Sequence, residues 1–308
     1  MPERNLKSLP KIRDSLTFIY VEHCMIEQDN LAIVKIDKDG RTPIPIAAFT
    51  VLMLGPGTSV THAAIANIAA CGCMAVWCGE NDFIFYAFGK GETKSGRNLL
   101  QQVEVYSDPD LHLKCVRKMY MMRFPQMPSD NLTVAQLRGL EGSRVKTAYK
   151  NMASRTGITW TGREYKSADW DDSTPLNKAL SMANAMLYAV CYSVIISLGY
   201  SPGIGFIHTG KAEAFVYDIA DLYKVETTIP AAFEAVKAYT GEEDLQKCVR
   251  RRCRLYFHNS RLLKRIPEDI MSLLFFSADE DLDGTKELWD ENGNSVTGGK
   301  NYSEDSKE

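Results

Sequence analysis

One long stretch of this 308-residue chain has no charge and another has no acid, and each absence excludes something. From Ala179 to Gly210 there is no Asp, Glu, Lys or Arg. Ser181, Asn184, Ser193 and Ser197 interrupt that run, and Pro202, Gly203 and Gly205 break its end, so it reads as a buried central helix rather than a membrane span. From Lys247 to Arg265 there is no acid, although eight Lys or Arg fall there. The N-terminal MPERNLKSLPKIRD lacks the apolar core of a secretory leader. The eight cysteines form no pair of CxxC knuckles, which removes the usual zinc-ribbon reading. Most of them sit among apolar residues, as reduced, buried thiols of a cytoplasmic protein do.

With 45% hydrophobic and 24% charged residues, the chain has the composition of a soluble globular protein of two domains. The segments 15–21, 31–36, 42–48, 49–54, 74–78 and 83–88 are rich in β-branched and aromatic residues and read as short strands, with one helix over 60–70. The glycine-rich, basic stretch GKGETKSGRN marks a linker. Beyond it the period becomes helical, with helices predicted at 99–123, 133–155, 176–199, 212–224, 229–239 and 243–263. The expected fold is α+β: a small N-terminal β-rich domain (1–90), a linker (91–98), an all-helical domain (99–277) and an acidic tail (278–308) without regular structure. The tail holds ten Asp or Glu and three Lys, so the net charge of −3 hides a body of +4.

The stretch from Ser201 to Lys224 gathers His208, Lys211, Asp218 and Asp221. An imidazole with two carboxylates suits a hard divalent ion such as Mg²⁺ or Mn²⁺. Asp218 and Asp221, three apart, share one face of a helix. His208 is too far back along a single helix, about 20 Å of rise, so the chain has to bend, and Gly210 allows it. The bland alternative is a capping His and two solvated acids. In the helix beginning at the capping-box pattern Thr133 to Gln136, Glu141 falls on the apolar stripe of Val134, Leu137, Val145 and Ala148. An inward carboxylate needs a partner: either Arg144 within the helix, or a metal shared with His208 and Asp221.

The acid-free stretch interleaves Arg250, Arg251 and Arg254 with Tyr256, Phe257 and His258, the pattern of a phosphate-binding face. Lys114, Arg117, Lys118 and Arg123 extend it on the 99–123 helix, and Arg144, as a further DNA-binding candidate, with Lys146, Lys150 and Arg155 on the next. Nucleic acid is the natural partner, and the tail is a candidate to shield this surface.

Three motifs carry a resemblance: Gln136 to Lys146 (QLRGLEGSRVK), Gly205 to Lys211 (GFIHTGK) and Tyr217 to Asp221 (YDIAD). The turn Gly55–Pro56–Gly57–Thr58 before Thr61–His62 and the strand Val76–Trp77 also match. The chain resembles the CRISPR-associated integrase over about residues 10–270, and more narrowly the catalytic subunit of spacer acquisition in type I-E systems. The resemblance implies a homodimer that assembles with the small second adaptation protein into a heterohexamer, with a host DNA-bending protein as a further candidate partner and no membrane. It implies metal ligands at Glu141, His208 and Asp221, with Asp218 as an essential neighbour. The implied reaction is transesterification, in which the 3′-hydroxyl of captured DNA attacks a phosphodiester at the edge of the CRISPR repeat. Lys211 and Lys224 are placed to contact that DNA, and either Tyr20 or His23 to brace the duplex end. Arginines that the family brings from the β-domain are replaced here, in their neighbourhoods, by Ser59, Ala66 and Ile84. A stand-alone nuclease for branched DNA and a non-catalytic DNA-binding scaffold are the competing readings.

Overall fold

The computed structural model describes residues 18–30, 32–46, 49, 51–78, 85–88, 96–124, 131–162, 173–241, 243–275, 287–289 and 295–297. A β-rich N-terminal region precedes a helical C-terminal region, as the composition predicts.

Two four-stranded sheets make up the first region. In one, β1 (Phe18–Val21), β5 (Val51–Leu54) and β7 (Met74–Cys78) run parallel, and β8 (Phe85–Phe88) closes the edge antiparallel to β7. The other has the order β4 (Gly40–Ile44), β3 (Ala32–Asp37), β2 (Met25–Asp29), β6 (Ser59–Val60). Its β2 and β6 were not read from the sequence, because MIEQD is too polar and Ser59–Val60 too short to stand out. Helix α1 (His62–Ala70), capped by the Thr61 side chain, lies against β2, β3 and β7. All four residues of β5 are buried, as a strand covered on both faces must be. Leu52 and Leu54 face Ala64 and Ile68 of α1. Val51 and Met53, with Met74 and Val76, face Ala189 on the next region's central helix.

That helix is α5 (Pro175–Ser197), entered through Thr174, whose hydroxyl accepts from Asn177 N–H, and Pro175 at its first position. Of its most apolar window 61% is buried inside the protein, which accounts for the uncharged run. Around it pack α6 (Ala214–Ala220), α7 (Thr228–Ala238), α8 (Leu245–Asn259) and α9 (Leu262–Leu274).

Several boundaries differ from expectation. The single helix over 99–123 is two, α2 (Arg97–Ser107) and α3 (Pro109–Met121). Pro109 has no N–H to continue α2, and Asp108 accepts from Asp110 and Leu111 N–H to start a new helix. Arg97 and Asn98, assigned to the linker, belong to α2, and residues 91–95 lie outside the described residues. The helix expected over 243–263 ends at Asn259. Arg261 then takes a left-handed φ of 49° and α9 follows, a helix the sequence reading did not separate from the tail side of the domain. The helix expected over 212–224 is regular only from Ala214 to Ala220. α4 (Val134–Thr156) does carry the predicted capping box, and Gly157 closes it at φ 76°.

In the tail, β9 (Glu287–Trp289) and β10 (Ser295–Thr297) pair antiparallel, where no regular structure was expected; the β-forming Leu288, Trp289 and Val296 outweigh the acidity around them. The rest of the tail, and Ile84, lie outside the described residues.

Candidate active site

The site grows from the loop between α5 and α6. Asp218 is fully buried and receives four hydrogen bonds. Its Oδ2 accepts from the backbone N–H of Phe206 at 2.6 Å and Ile207 at 3.0 Å. Its Oδ1 accepts from the N–H of His208 at 2.9 Å and from the His208 ring Nδ1 at 2.7 Å. An ionised carboxylate only accepts, so the imidazole proton sits on Nδ1 and Nε2 is left for another partner. The hydrogen bond that His208 donates to Asp218 raises the His208 pKa; burial opposes this, and the charges of Asp218 and Asp221 add to the rise.

Two further anchors fix this loop, and the sequence reading found neither. The buried Gln102 side chain of α2 donates to the carbonyls of Ser201 and Ile204, both at 2.9 Å, and accepts from Ser201 N–H at 2.7 Å. His112 of α3 bonds the Phe206 carbonyl at 3.0 Å. Gly205 is demanded by close approach, since a Cβ there would lie 2.5 Å from the His208 carbonyl oxygen. Gly210 turns the chain at φ 75°, which is the bend the spacing argument required.

α4 contributes Glu141, 8% exposed. Arg144, expected on the phosphate-binding face, instead binds this carboxylate with two bonds, Nε to Oε2 at 3.0 Å and Nη2 to Oε1 at 3.2 Å. Asp221, just past α6, pairs with Lys224 at 2.7 Å. Burial lowers the Lys224 pKa, but the Asp221 charge and Tyr188 outweigh it, so the net shift is upward; the ammonium also lies 4.8 Å from the centre of the Tyr188 ring.

Between the two carboxylates stands Arg123. Its Nη1 is 3.9 Å from Glu141 Oε1 and 3.9 Å from Asp221 Oδ2. The residue is 6% exposed, its guanidinium covers the Tyr120 ring at 5.0 Å, and its Nε and Nη2 meet no acceptor among the described residues. The sequence pattern puts it on the basic surface, whereas in the structure Arg123 is inside. The signal was present, because Val116, Met119, Tyr120 and Arg123 step along one face by three or four, and the first three are buried.

Glu141, His208 and Asp221 thus come from three separate elements to one region. Among the described residues, however, no three His, Cys, Asp or Glu side chains stand close enough together to hold a metal ion as they are. Arg123, Arg144 and Lys224 occupy the acids instead. The donor set itself fits a hard divalent ion: two carboxylates, and an imidazole whose Nδ1 is fixed by a third.

Other expected contacts are distributed unequally. Lys211 and Arg254 are exposed, and Arg251 pairs with Glu243 at 3.1 Å. Arg250 does not belong to an open face: its Nη1 pairs with Glu22 and meets Tyr20 Oη at 3.2 Å. Tyr20 is tied up in the same contact and packs on Gly55, while His23 is exposed beside Gly57. Of the two rings considered for a duplex end, His23 is the accessible one.

The comparisons with known proteins bear on all of this. The family described as CRISPR associated protein Cas1 matches residues 121–255, which include Arg123, Glu141, His208, Asp218 and Asp221. A CRISPR-associated endonuclease Cas1 of Thermus thermophilus is 44% identical over 310 residues, covering 98% of this chain and 94% of that protein. The chain belongs to the Cas1 family. Cas1 of Escherichia coli K12 is 42% identical over 265 residues, covering 85% of this chain and 86% of that protein. A solved structure described as a TtCas1–DNA complex superposes with a TM-score of 0.80 at 41% identity, covering 92% of this chain and 99% of that one. A casposase bound to integration product shares the fold alone, with a TM-score of 0.62 at 12% identity. As a Cas1 endonuclease, the chain is a nuclease of the CRISPR system.

Proposed function

We propose that this Cas1 protein is the metal-dependent DNA integrase of CRISPR adaptation in a type I-E system, joining the 3′-hydroxyls of captured DNA to the repeat. One observation carries the reading. Glu141 and Asp221, from different elements, face a single cationic group from two sides, and His208 is held next to Asp221 by Asp218. A site that already seats positive charge between two acids has the chemistry for Mg²⁺ or Mn²⁺. The bound ion would supply Lewis-acid activation of the attacked phosphodiester.

The chain's own residues supply the rest. Asp218 fixes the loop and the imidazole tautomer, so that Nε2 is the nitrogen presented to a ligand. Lys211 and Arg254 stand exposed to bind DNA phosphates, and His23 to stack on a terminal base. Arg144 and Lys224 hold Glu141 and Asp221 in place. The DNA complex of the related TtCas1 supports DNA as the substrate. A homodimer working with the small second adaptation protein, in the cytoplasm, completes the proposal.

A strand-transfer assay tests it. The protein, with and without the small partner, is given a 3′-hydroxyl duplex and a supercoiled repeat-bearing plasmid in Mg²⁺ or Mn²⁺. Covalent joining that needs metal, partner, Glu141 and Asp221 establishes the integrase. Cleavage of branched DNA without joining favours the structure-specific nuclease, the reading suggested by the relatives' name of endonuclease. Binding alone, equal in wild type and variants, leaves the scaffold.

A further inference from the structure

We infer that Arg123 is a positioning residue that acts as an internal competitor of the divalent cation, its guanidinium and the ion contending for the same two carboxylates. This rests on the proposed metal site and goes beyond it by giving a role to a residue that lies outside the ligand set.

The argument begins with the cost of its place. A guanidinium cannot shed its proton, so Arg123 remains charged at 6% exposure. A buried charge persists only where opposite charge compensates it. The acids that do so are Glu141 and Asp221, both 3.9 Å from Nη1. The remaining donors, Nε and Nη2, meet no acceptor among the described residues, so no hydrogen bond to those residues holds the group there. Stacking on Tyr120 orients it without neutralising it.

A cation so placed acts on the neighbouring acids in two opposed ways. It can keep them facing one another before an ion arrives, which would favour metal binding. It also repels a divalent ion and occupies its ligands, which disfavours it. The first effect is already supplied by other groups: Arg144 grips Glu141 through two hydrogen bonds, and Lys224 grips Asp221 at 2.7 Å. What Arg123 adds is therefore mainly the second. It stands between the acids, where Arg144 and Lys224 each pair with one of them. Arg123 thus weakens metal binding while stabilising the metal-free fold, and it ties the affinity for the ion to a residue of α3's end rather than to the ligands alone.

The test is metal affinity, measured by calorimetry with Mn²⁺ on the full-length protein, for wild type, Arg123→Gln and Arg123→Lys, with thermal unfolding of each with and without metal. Arg123→Gln is expected to bind Mn²⁺ at least tenfold more tightly, to melt at lower temperature without metal, and to gain more from metal than wild type does. Arg123→Lys, which keeps the charge, is expected to return affinity toward wild type, which loss of packing alone would not do. In wild type with ¹⁵N-labelled arginine, Mg²⁺ is expected to shift the Arg123 Nε–H resonance, a readout that does not depend on any variant folding. Equal or weaker Mn²⁺ affinity in Arg123→Gln, or an Arg123 signal unmoved at saturating Mg²⁺, overturns the inference while leaving the metal site standing. Absence of metal binding in wild type and both variants overturns the proposed metal site itself, and this inference with it.

Discussion

Asp218 and His208 are joined twice: one carboxylate oxygen accepts the backbone N–H of His208 at 2.9 Å and its ring Nδ1–H at 2.7 Å. The same carboxylate holds Phe206 and Ile207, so all four of its bonds are used in shaping the loop. Asp218 is therefore read as a support for His208 rather than as a ligand.

Asp218→Asn should destabilise the protein by about 2–4 kcal/mol, because an amide brings a donor against buried donors and leaves them unsatisfied. Urea unfolding measures the loss, and hydrogen exchange should accelerate at Phe206, Ile207 and His208. Wild-type stability in this variant would show that the carboxylate does not organise the loop.

Glu141→Ala should do more than remove a ligand. It takes away one of two acids compensating a buried guanidinium, at a cost on the order of 3 kcal/mol. Adding Arg123→Gln should recover part of that loss, with a coupling energy of about 1 kcal/mol or more in a double-mutant cycle by urea unfolding. Strict additivity would show that the two groups do not interact.

Arg250 and Arg254 lie four apart on α8 and should behave differently. Arg250→Ala breaks the contact with Glu22 and Tyr20 and should cost about 1–3 kcal/mol of stability. Arg254→Ala should leave stability unchanged and reduce the slope of log K for DNA against log salt by about 1. Fluorescence anisotropy across a salt series separates the two, and the reverse pattern would return Arg250 to the DNA face.

Asp269 accepts from the Tyr223 hydroxyl at 2.6 Å. Burial raises its pKa; the Tyr223 bond and Arg265 oppose this without cancelling it. A carboxyl with a raised folded-state pKa holds its proton more tightly folded than unfolded, so its contribution is greatest below the unfolded value and is lost as pH rises through the folded one. Asp269→Asn should remove that descending component just above about pH 4, as read from melting temperatures across pH. An unchanged profile would contradict the raised value.

Much of this arrangement was legible in the sequence, and the exceptions have physical causes. Glu141 was placed inward by its stripe, and the bend between His208 and Asp221 by the distance that separates them. The spacing of Asp218 and Asp221 misled in one respect. Three residues apart suggests one shared face, but α6 stops at Ala220, and Asp221 belongs to the turn that follows. Their carboxylates accordingly take different partners, the loop's N–H groups for one and Arg123 with Lys224 for the other. Arg250 looked like surface charge because its partners lie far off in sequence, and no local pattern encodes a partner at that distance; for Arg123 the local stripe did point inward, but the pairing with Glu141 and Asp221 was not encoded there. Gln102 was invisible for the same reason, since its bonds reach 99 and 102 residues along the chain.

That reach has a consequence for synthesis. A chain leaving the ribosome presents α2, α3 and α4 before the loop with His208 exists, so Gln102 and His112 must wait for that loop and Arg123 for Asp221. Until Asp221 has emerged, the nascent chain holds only one of the two acids that flank Arg123, and a ribosome-bound fragment ending earlier would leave that guanidinium with Glu141 alone to balance it.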